Sequence, residues 1–420
     1  MFTRRIVSPE FGVRLTGKKG PYALGMLFAD DKSPGETVPD NDPLFHKHAT
    51  FGIFRVNRDI FKQSSIGLIY TYRGLLDSSN KVGGIDGRFR LNKHWLINAQ
   101  AVTSSTKFLD GTHQSGPAYH FLLDGEGRQY SFTVGFDDRS PGFLTAVGFQ
   151  PRVDIRQFNS SYSYRWRPEG KTLISWGPNI SFNSIWDHRN TRLEWTANPS
   201  MSWEFVHQTD VNIFYTGGRE LLRPADFSVL PTNRDFSPRA VGATVSSAYF
   251  RKAIFSATFS RGQSINFEPV AGKEPFISNF TSRNVQVTFR PFKKLQIDNT
   301  YLETRLNTID GDGIFTDRIF RSRVNWQFNR KFSLRAIPQY NSLSINPAQT
   351  SLTKSRNFNG DFLAAYSLNP WTSLYVGYNS NLDNTQLLTN PAGRPELQTV
   401  PELHNNARHF YVKFSYLFRF

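Results

Sequence analysis

The chain ends in RHFYVKFSYLFRF, residues Arg408 to Phe420. Laid out as an extended strand, Phe410, Val412, Phe414, Tyr416, Phe418 and Phe420 fall on one face. His409, Tyr411, Lys413, Ser415, Leu417 and Arg419 fall on the other. Terminal residues fray unless something holds them, so a row of aromatics on one side of the last strand needs a partner. A soluble protein must cover such a face with a second layer. An outer-membrane barrel turns it to lipid, and no cover is needed.

Composition favours the second solution. Only 38% of the 420 residues are hydrophobic, yet 15% are aromatic, with 38 Phe, 16 Tyr and 8 Trp. Disordered chains are poor in aromatics. The longest apolar stretches, such as YALGMLFA, fall far short of the ~20 residues of a spanning helix. Scarce hydrophobics with many aromatics are what a barrel produces, because half of every strand faces a polar interior. Cysteine is absent, which excludes disulfides and thiolate metal sites. The opening MFTRRIVSPEFG has no apolar signal segment, so an exported chain of this kind is expected to be part of a longer protein. The net charge of +16 is spread along the whole length, without basic blocks or a nucleic-acid motif. Solvated strand faces and lipid headgroups account for it better than nucleic acid.

Alternation with period two recurs along the chain. In NVQVTFR, Val285, Val287 and Phe289 oppose Asn284, Gln286, Thr288 and Arg290. In FRSRVNWQF, Phe320, Val324, Trp326 and Phe328 oppose Arg321, Arg323, Asn325 and Gln327. In FNSSYSYRWR, Phe158, Tyr162, Tyr164 and Trp166 oppose Asn159, Ser161, Ser163, Arg165 and Arg167. No segment has helical spacing. Short connectors such as NKH, GEGRQ, PEGK, HQTD, RKA and NRK alternate with mostly longer ones, expected at 30–47, 223–238, 268–276 and 387–405. A sandwich has no reason to keep its long loops at one end, whereas outer-membrane barrels pair short periplasmic turns with longer outer loops. Counting between the breaks predicts one all-β domain over 1–420: an antiparallel transmembrane β-barrel of about 22 strands (range about 20–24). This count includes a short strand at FTRRI, and its parity puts both termini in the periplasm. Trp95, Trp166, Trp326 and Trp371 lie near short turns, where a barrel places an aromatic girdle.

FTRRI, RLTGKKGPYALGMLFAD and FRVNRDIFKQSSIGLIYTYR resemble the barrel portion of a bacterial outer-membrane family of unknown function. In that family the barrel commonly follows a carbohydrate-binding family-9-like domain. The resemblance rests on Arg4, Arg5 and Ile6, on Leu15 to Lys18, on Arg55, Val56, Arg58 and Asp59, and on Ser64 to Gly67. It implies a periplasmic domain as partner and a link to carbohydrate handling. Phe414, Tyr416, Phe418 and Phe420 also resemble the terminal signal read by the barrel-assembly machinery. Membrane lipid and lipopolysaccharide are the remaining expected partners.

Residue chemistry points to no enzyme and no cofactor. His46 and His48 in FHKH lack a third ligand nearby in sequence, and DGDG at 310–313 has Arg321 where a calcium loop needs an acid, so a hairpin turn is expected. Ser184, Asp187 and His188 are close in sequence, but neighbouring strand residues point to opposite faces, so Asp187 cannot orient His188 as a triad requires. There is no phosphate-binding loop leading into a helix. With the aromatic faces outward, Asp86, Arg88, Arg90, Arg165, Arg167, Arg290, Arg321 and Arg323 line the lumen, with Lys413 and Arg419 beside them. Acidic neighbours Asp86, Asp154, Asp298 and Glu204 can pair with these cations across strands. Transporters of this size that depend on TonB carry an N-terminal plug, for which the barrel reading leaves no residues. Three functions follow: a pore for polar or anionic solutes, a surface anchor for a periplasmic domain, or a soluble all-β carbohydrate-active protein. The short strands and fixed-period repeats of a propeller, which the last requires, are absent.

Overall fold

The computed structural model describes residues 5–36, 38–168, 170–369, 371–389 and 395–416. All 22 strands among them belong to one antiparallel sheet. The chain divides into two compact units, residues 1–164 with 179–197, and residues 165–178 with 198–420.

Unit 1 holds β1 (Pro9–Lys19), β2 (Tyr22–Asp31), β3 (Ala49–Ile60), β4 (Ser64–Leu75), β5 (Ser78–Arg90), β6 (Trp95–Lys107), β7 (His113–Glu126), β8 (Tyr130–Arg139) and β9 (Ile155–Tyr164). β10 (Leu173–Trp186) and β11 (Arg192–Phe205) contribute to both units. Unit 2 holds β12 (Thr209–Leu222), β13 (Arg234–Phe236), β14 (Arg239–Phe250), β15 (Ala253–Asn266), β16 (Phe276–Phe292), β17 (Leu295–Asn307), β18 (Gly313–Gln327), β19 (Phe332–Ile345), β20 (Ser355–Asn369), β21 (Thr372–Thr389) and β22 (Pro395–Tyr416). Neighbours in sequence pair as hairpins, apart from β13, a three-residue strand over the end of β12, whose main partner is β14. Most strands run 10 to 18 residues, long enough to cross a bilayer at a tilt.

In each unit the alternation sorts side chains onto two faces. Register carries Tyr22, Met26 and Phe28 on β2, and Ile66, Leu68 and Tyr70 on β4, to one face of unit 1, all exposed. In unit 2, Phe259, Val285, Phe320 and Tyr340 share a face with Phe362, Tyr378, Phe410, Val412, Phe414 and Tyr416, again exposed. Soluble monomers do not expose contiguous apolar surface on this scale. We call this the apolar face, and the opposite one the polar face. Phe414 and Tyr416 thus lie together as the sequence suggests, whereas Leu417, Phe418, Arg419 and Phe420 lie outside the described residues. Aromatics gather at the short connections: Trp95 packs edge-on to Phe132, with centroids 5.2 Å apart, and Trp326 stacks on Phe328 at 4.4 Å.

Three expectations need correction. The 387–405 segment is largely strand: β21 and β22 pair out to Thr389↔Pro395, and register shifts between 381 and 385 accommodate the prolines and asparagines that read as a loop. The strand expected at FTRRI lies largely outside the described residues, at 2–4, and its described part, Arg5 and Ile6, is not in strand. The total of 22 includes β13 instead, and β1 starts at the end of unit 1 that bears its long connections. Finally, one helical turn, Ser33–Glu36, interrupts the β structure within the β2–β3 connection. DGDG is a hairpin turn, with Gly311 at φ 105°.

The long connections are anchored. In unit 2, Leu230 and Phe227 pack on Leu222 and Ile265, and Thr350 Oγ1 donates to the Glu268 carbonyl at 2.6 Å. Arg219 holds the Asp235 carboxyl on β13 below the usual carboxylate range through a hydrogen bond.

Candidate functional site

In unit 1 the polar face is built by β3 to β9. Asp86, Arg88 and Arg90 alternate on β5 with Ile85, Gly87 and Phe89, and so share this face. Asp86 is not free. Arg55 on β3 holds both its oxygens, Nη2 lying 2.6 Å from Oδ1 and Nη1 on Oδ2. The pair spans the intervening strand β4 at Gly67, where a Cβ would stand 2.8 Å from Arg55 Nη2 and 3.0 Å from Asp86 Oδ1. Glycine there is a condition of the ion pair. Arg55, Asn57, Asp86, Arg88, Gln100 and His120 line a concavity of about 550 Å³. His120 Nδ1 lies 3.0 Å from Asp137 Oδ1, which Arg139 approaches at 3.6 Å. Arg90 is tied to the β3–β4 turn, its backbone N–H donating to Ser64 Oγ at 3.0 Å.

The 140–154 connection folds over this polar face near the long-connection end. Asn80, buried on the face, accepts from the Ala146 N–H at 2.8 Å and donates to the Leu144 carbonyl at 2.9 Å. Ser104 Oγ accepts from the Leu144 N–H at 3.0 Å. Phe143 packs on Val82 and Ala118, and Val147 on Phe51 and Leu75, all in the interior of the fold.

In unit 2 the polar face carries Arg290 on β16 and Arg321 and Arg323 on β18. Asp298 on β17 lies in register with Arg323. It accepts from Arg323 Nη2 at 2.9 Å, Thr288 Oγ1 at 2.7 Å and Gln296 Nε2 at 2.9 Å. Arg290 Nε donates to Gln296 Oε1 at 3.1 Å. Toward the short connections, Arg251, Lys252, Arg290, Lys293, Lys294 and Arg335 border a cavity of about 780 Å³ with no acidic residue in its lining. Arg165 and Arg167 are placed differently from expectation. β9 stops at Tyr164, so both sit in a short connection, where a single bridge between Trp166 and Trp176 continues the alternation.

Sequence reading missed Arg55, His120, Arg335 and the lysines of the turns. Arg55 and Asn57 alternate with Phe54 and Val56 in IFRVNRD, so the signal was present; the chain-distant partners were not. Glu204 takes a hydrogen bond from Ser175 Oγ at 2.7 Å, and Asp154 joins Asp138 around His188, both ring nitrogens lying 2.9–3.0 Å from a carboxylate. Asp187 caps its own turn and Ser184 Oγ donates to the Glu194 carbonyl, so neither meets His188. His48, rather than His46, gathers acidic partners, with Asp30 at 2.5 Å and Glu10 at 3.3 Å.

No protein-family model matches the chain, and no curated protein matches it in sequence. Solved structures do match. A mutant of the ferric enterobactin receptor of Pseudomonas aeruginosa is 10% identical over 99% of this chain and 78% of its own, with a TM-score of 0.56. The ferric-catecholate import receptor Fiu of E. coli K12 is 8% identical over 96% and 79%, with a TM-score of 0.57. The siderophore receptor PirA of Acinetobacter baumannii is 6% identical over 94% and 74%, at 0.52. At such identities the likeness is one of fold: the chain has the antiparallel transmembrane β-barrel fold.

Proposed function

We propose that this protein is an outer-membrane β-barrel that passes small polar solutes and prefers anions. The observation that carries the proposal is the polar face of unit 2. Arg290, Arg321, Arg323 and Arg335 share that face with Asp298, which pairs with Arg323, and with Asp317 and Asp361, and they lead to a mouth lined with further cations and no acid. Charges in such number are tolerable only around water, and an aqueous path lined with one sign concentrates the opposite one. That a ferric-catecholate import receptor has the same fold supports a transport role. The solute is left as a chemical class, and the link to carbohydrate rests on the sequence resemblance alone.

The test is a reversal potential across a salt gradient in planar bilayers. Screening lengths run from ~10 Å at 0.1 M to ~30 Å at 0.01 M, so both sides are kept dilute. Chloride should be preferred over potassium. Cation preference would overturn the reading. A second reading, a non-conducting anchor for a periplasmic domain of carbohydrate-binding type, is favoured by the 140–154 connection lying over the polar face of unit 1. Absence of any conductance would select it.

A further inference from the structure

The apolar face of unit 2 carries a cationic patch. In register, Phe259 on β15 faces Arg283 on β16, Arg283 faces Glu303 on β17, and Glu303 faces Arg318 on β18. One step toward the long connections, Arg261 on β15 faces Thr281, which faces Arg305 on β17. These four arginines have the parity of Val285, Tyr301 and Phe320, not that of Arg321 and Arg323, so they stand on the apolar face. All four are exposed.

Glu303 organises the patch. It is only 6% exposed, and it accepts from Arg283, from Arg318 Nε at 2.8 Å and from the Tyr301 hydroxyl at 2.9 Å. The guanidiniums it holds remain half exposed, at 52% and 50%, with N–H groups to spare. Four cations around one carboxylate leave an excess of three, arranged as fixed forks of donors suited to phosphate.

Position sets the ligand. Arg283 lies nine residues from Phe292, the last residue of β16 at the short-connection end. At ~3.3 Å per residue and a tilt of about 45°, that is roughly 21 Å along the membrane normal, close to the full height of a ~25 Å apolar band. The patch therefore stands at the headgroup level on the side of the long connections, the outer side in barrels of this class. Directly beneath it are exposed Val285, Phe320 and Tyr340. A solute crossing on the polar face never meets it.

We infer that this patch binds the phosphates of a bisphosphorylated glycolipid of the outer leaflet, lipid A in chemical class, with its acyl chains against Val285, Phe320 and Tyr340. Glu303 is a positioning residue that fixes two of the guanidiniums. The inference requires the barrel fold but not conduction.

The experiment titrates the purified full chain in detergent with bisphosphoryl lipid A, with the same lipid stripped of phosphate, and with inorganic phosphate, reading bound lipid by native mass spectrometry. Each charge-assisted hydrogen bond contributes about a power of ten in affinity. Bisphosphoryl lipid A should therefore bind at least about tenfold tighter than the stripped lipid. Arg261→Gln with Arg305→Gln should remove at least about that factor while the unboiled protein keeps its folded mobility in dodecyl sulfate. Arg321→Gln, on the other face, should leave affinity unchanged. Equal binding of the stripped lipid, or no change in the double variant, would overturn the inference. So would competition by inorganic phosphate at equal concentration, which would make this a site for free phosphate. If the double variant fails to fold, the comparison among the three ligands on the wild-type protein still decides.

Discussion

Replacing Phe320 with arginine asks which side of β18 meets hydrocarbon. Phe320 is 47% exposed and lies in register with Tyr301 and, one strand further, Val285. Six residues separate it from Trp326, which stands at the short-connection end in a stack with Phe328. At the same rise and tilt this is roughly 14 Å into a band of ~25 Å, near its middle, where an outward arginine costs about 2–4 kcal/mol. That corresponds to a roughly 30-fold to 1,000-fold fall in the folded population. Arg321→Ser, one residue on, alters the polar face and is expected to stay within about 0.5 kcal/mol. Urea titration in large phospholipid vesicles, followed by the fluorescence of the 8 Trp residues, measures both. A cost for Arg321→Ser equal to or above that of Phe320→Arg would mean the faces are assigned the wrong way round.

Further outcomes follow from the sites described. Gly67→Val should separate Arg55 from Asp86 and lower stability by about 1–3 kcal/mol in the same titration; unchanged stability would mean the pair adds nothing. Asn80→Ala combined with Ser104→Ala removes the three side-chain hydrogen bonds that hold the 140–154 connection at Leu144 and Ala146, and single-channel conductance should rise while the protein stays folded; constant conductance would show that this connection does not restrict the path. Arg321→Ser combined with Arg323→Ser should weaken chloride preference in dilute salt without impairing assembly, and an unaltered reversal potential would place the field elsewhere. Deleting Phe420 should reduce the assembled protein recovered from cell envelopes, and full recovery would remove its role as an assembly signal.

Much of the architecture is legible because alternation is a local property. Phe320 and Arg321, or Val285 and Gln286, declare their opposite faces within two residues, and the backbone leaves them no other choice. Turns declare themselves equally locally, as at DGDG. Where prolines and asparagines signalled a loop, in 387–405, the strands ran on, because a bulge absorbs residues that a regular ladder excludes. Ion pairs were less accessible. Arg55 and Asp86 are 31 residues apart and meet only because Gly67 leaves a gap between their strands. The Arg283–Glu303–Arg318 group was hidden differently: the alternation that places Val285 outward also places Arg283 outward, against the expectation that charges gather on the polar face. The inward course of 140–154 depends on Asn80 and Ser104, whose polar side chains look like any others on a solvated strand face.

The central claim is that the apolar face lies in lipid and the polar face in water. Spin labels placed singly from Arg283 to Pro291 on β16, in vesicles, test it most directly. Accessibility to oxygen should peak at 285, 287 and 289, and accessibility to a water-soluble nickel chelate at 284, 286, 288 and 290. An alternation of the opposite phase, or none at all, would contradict the account.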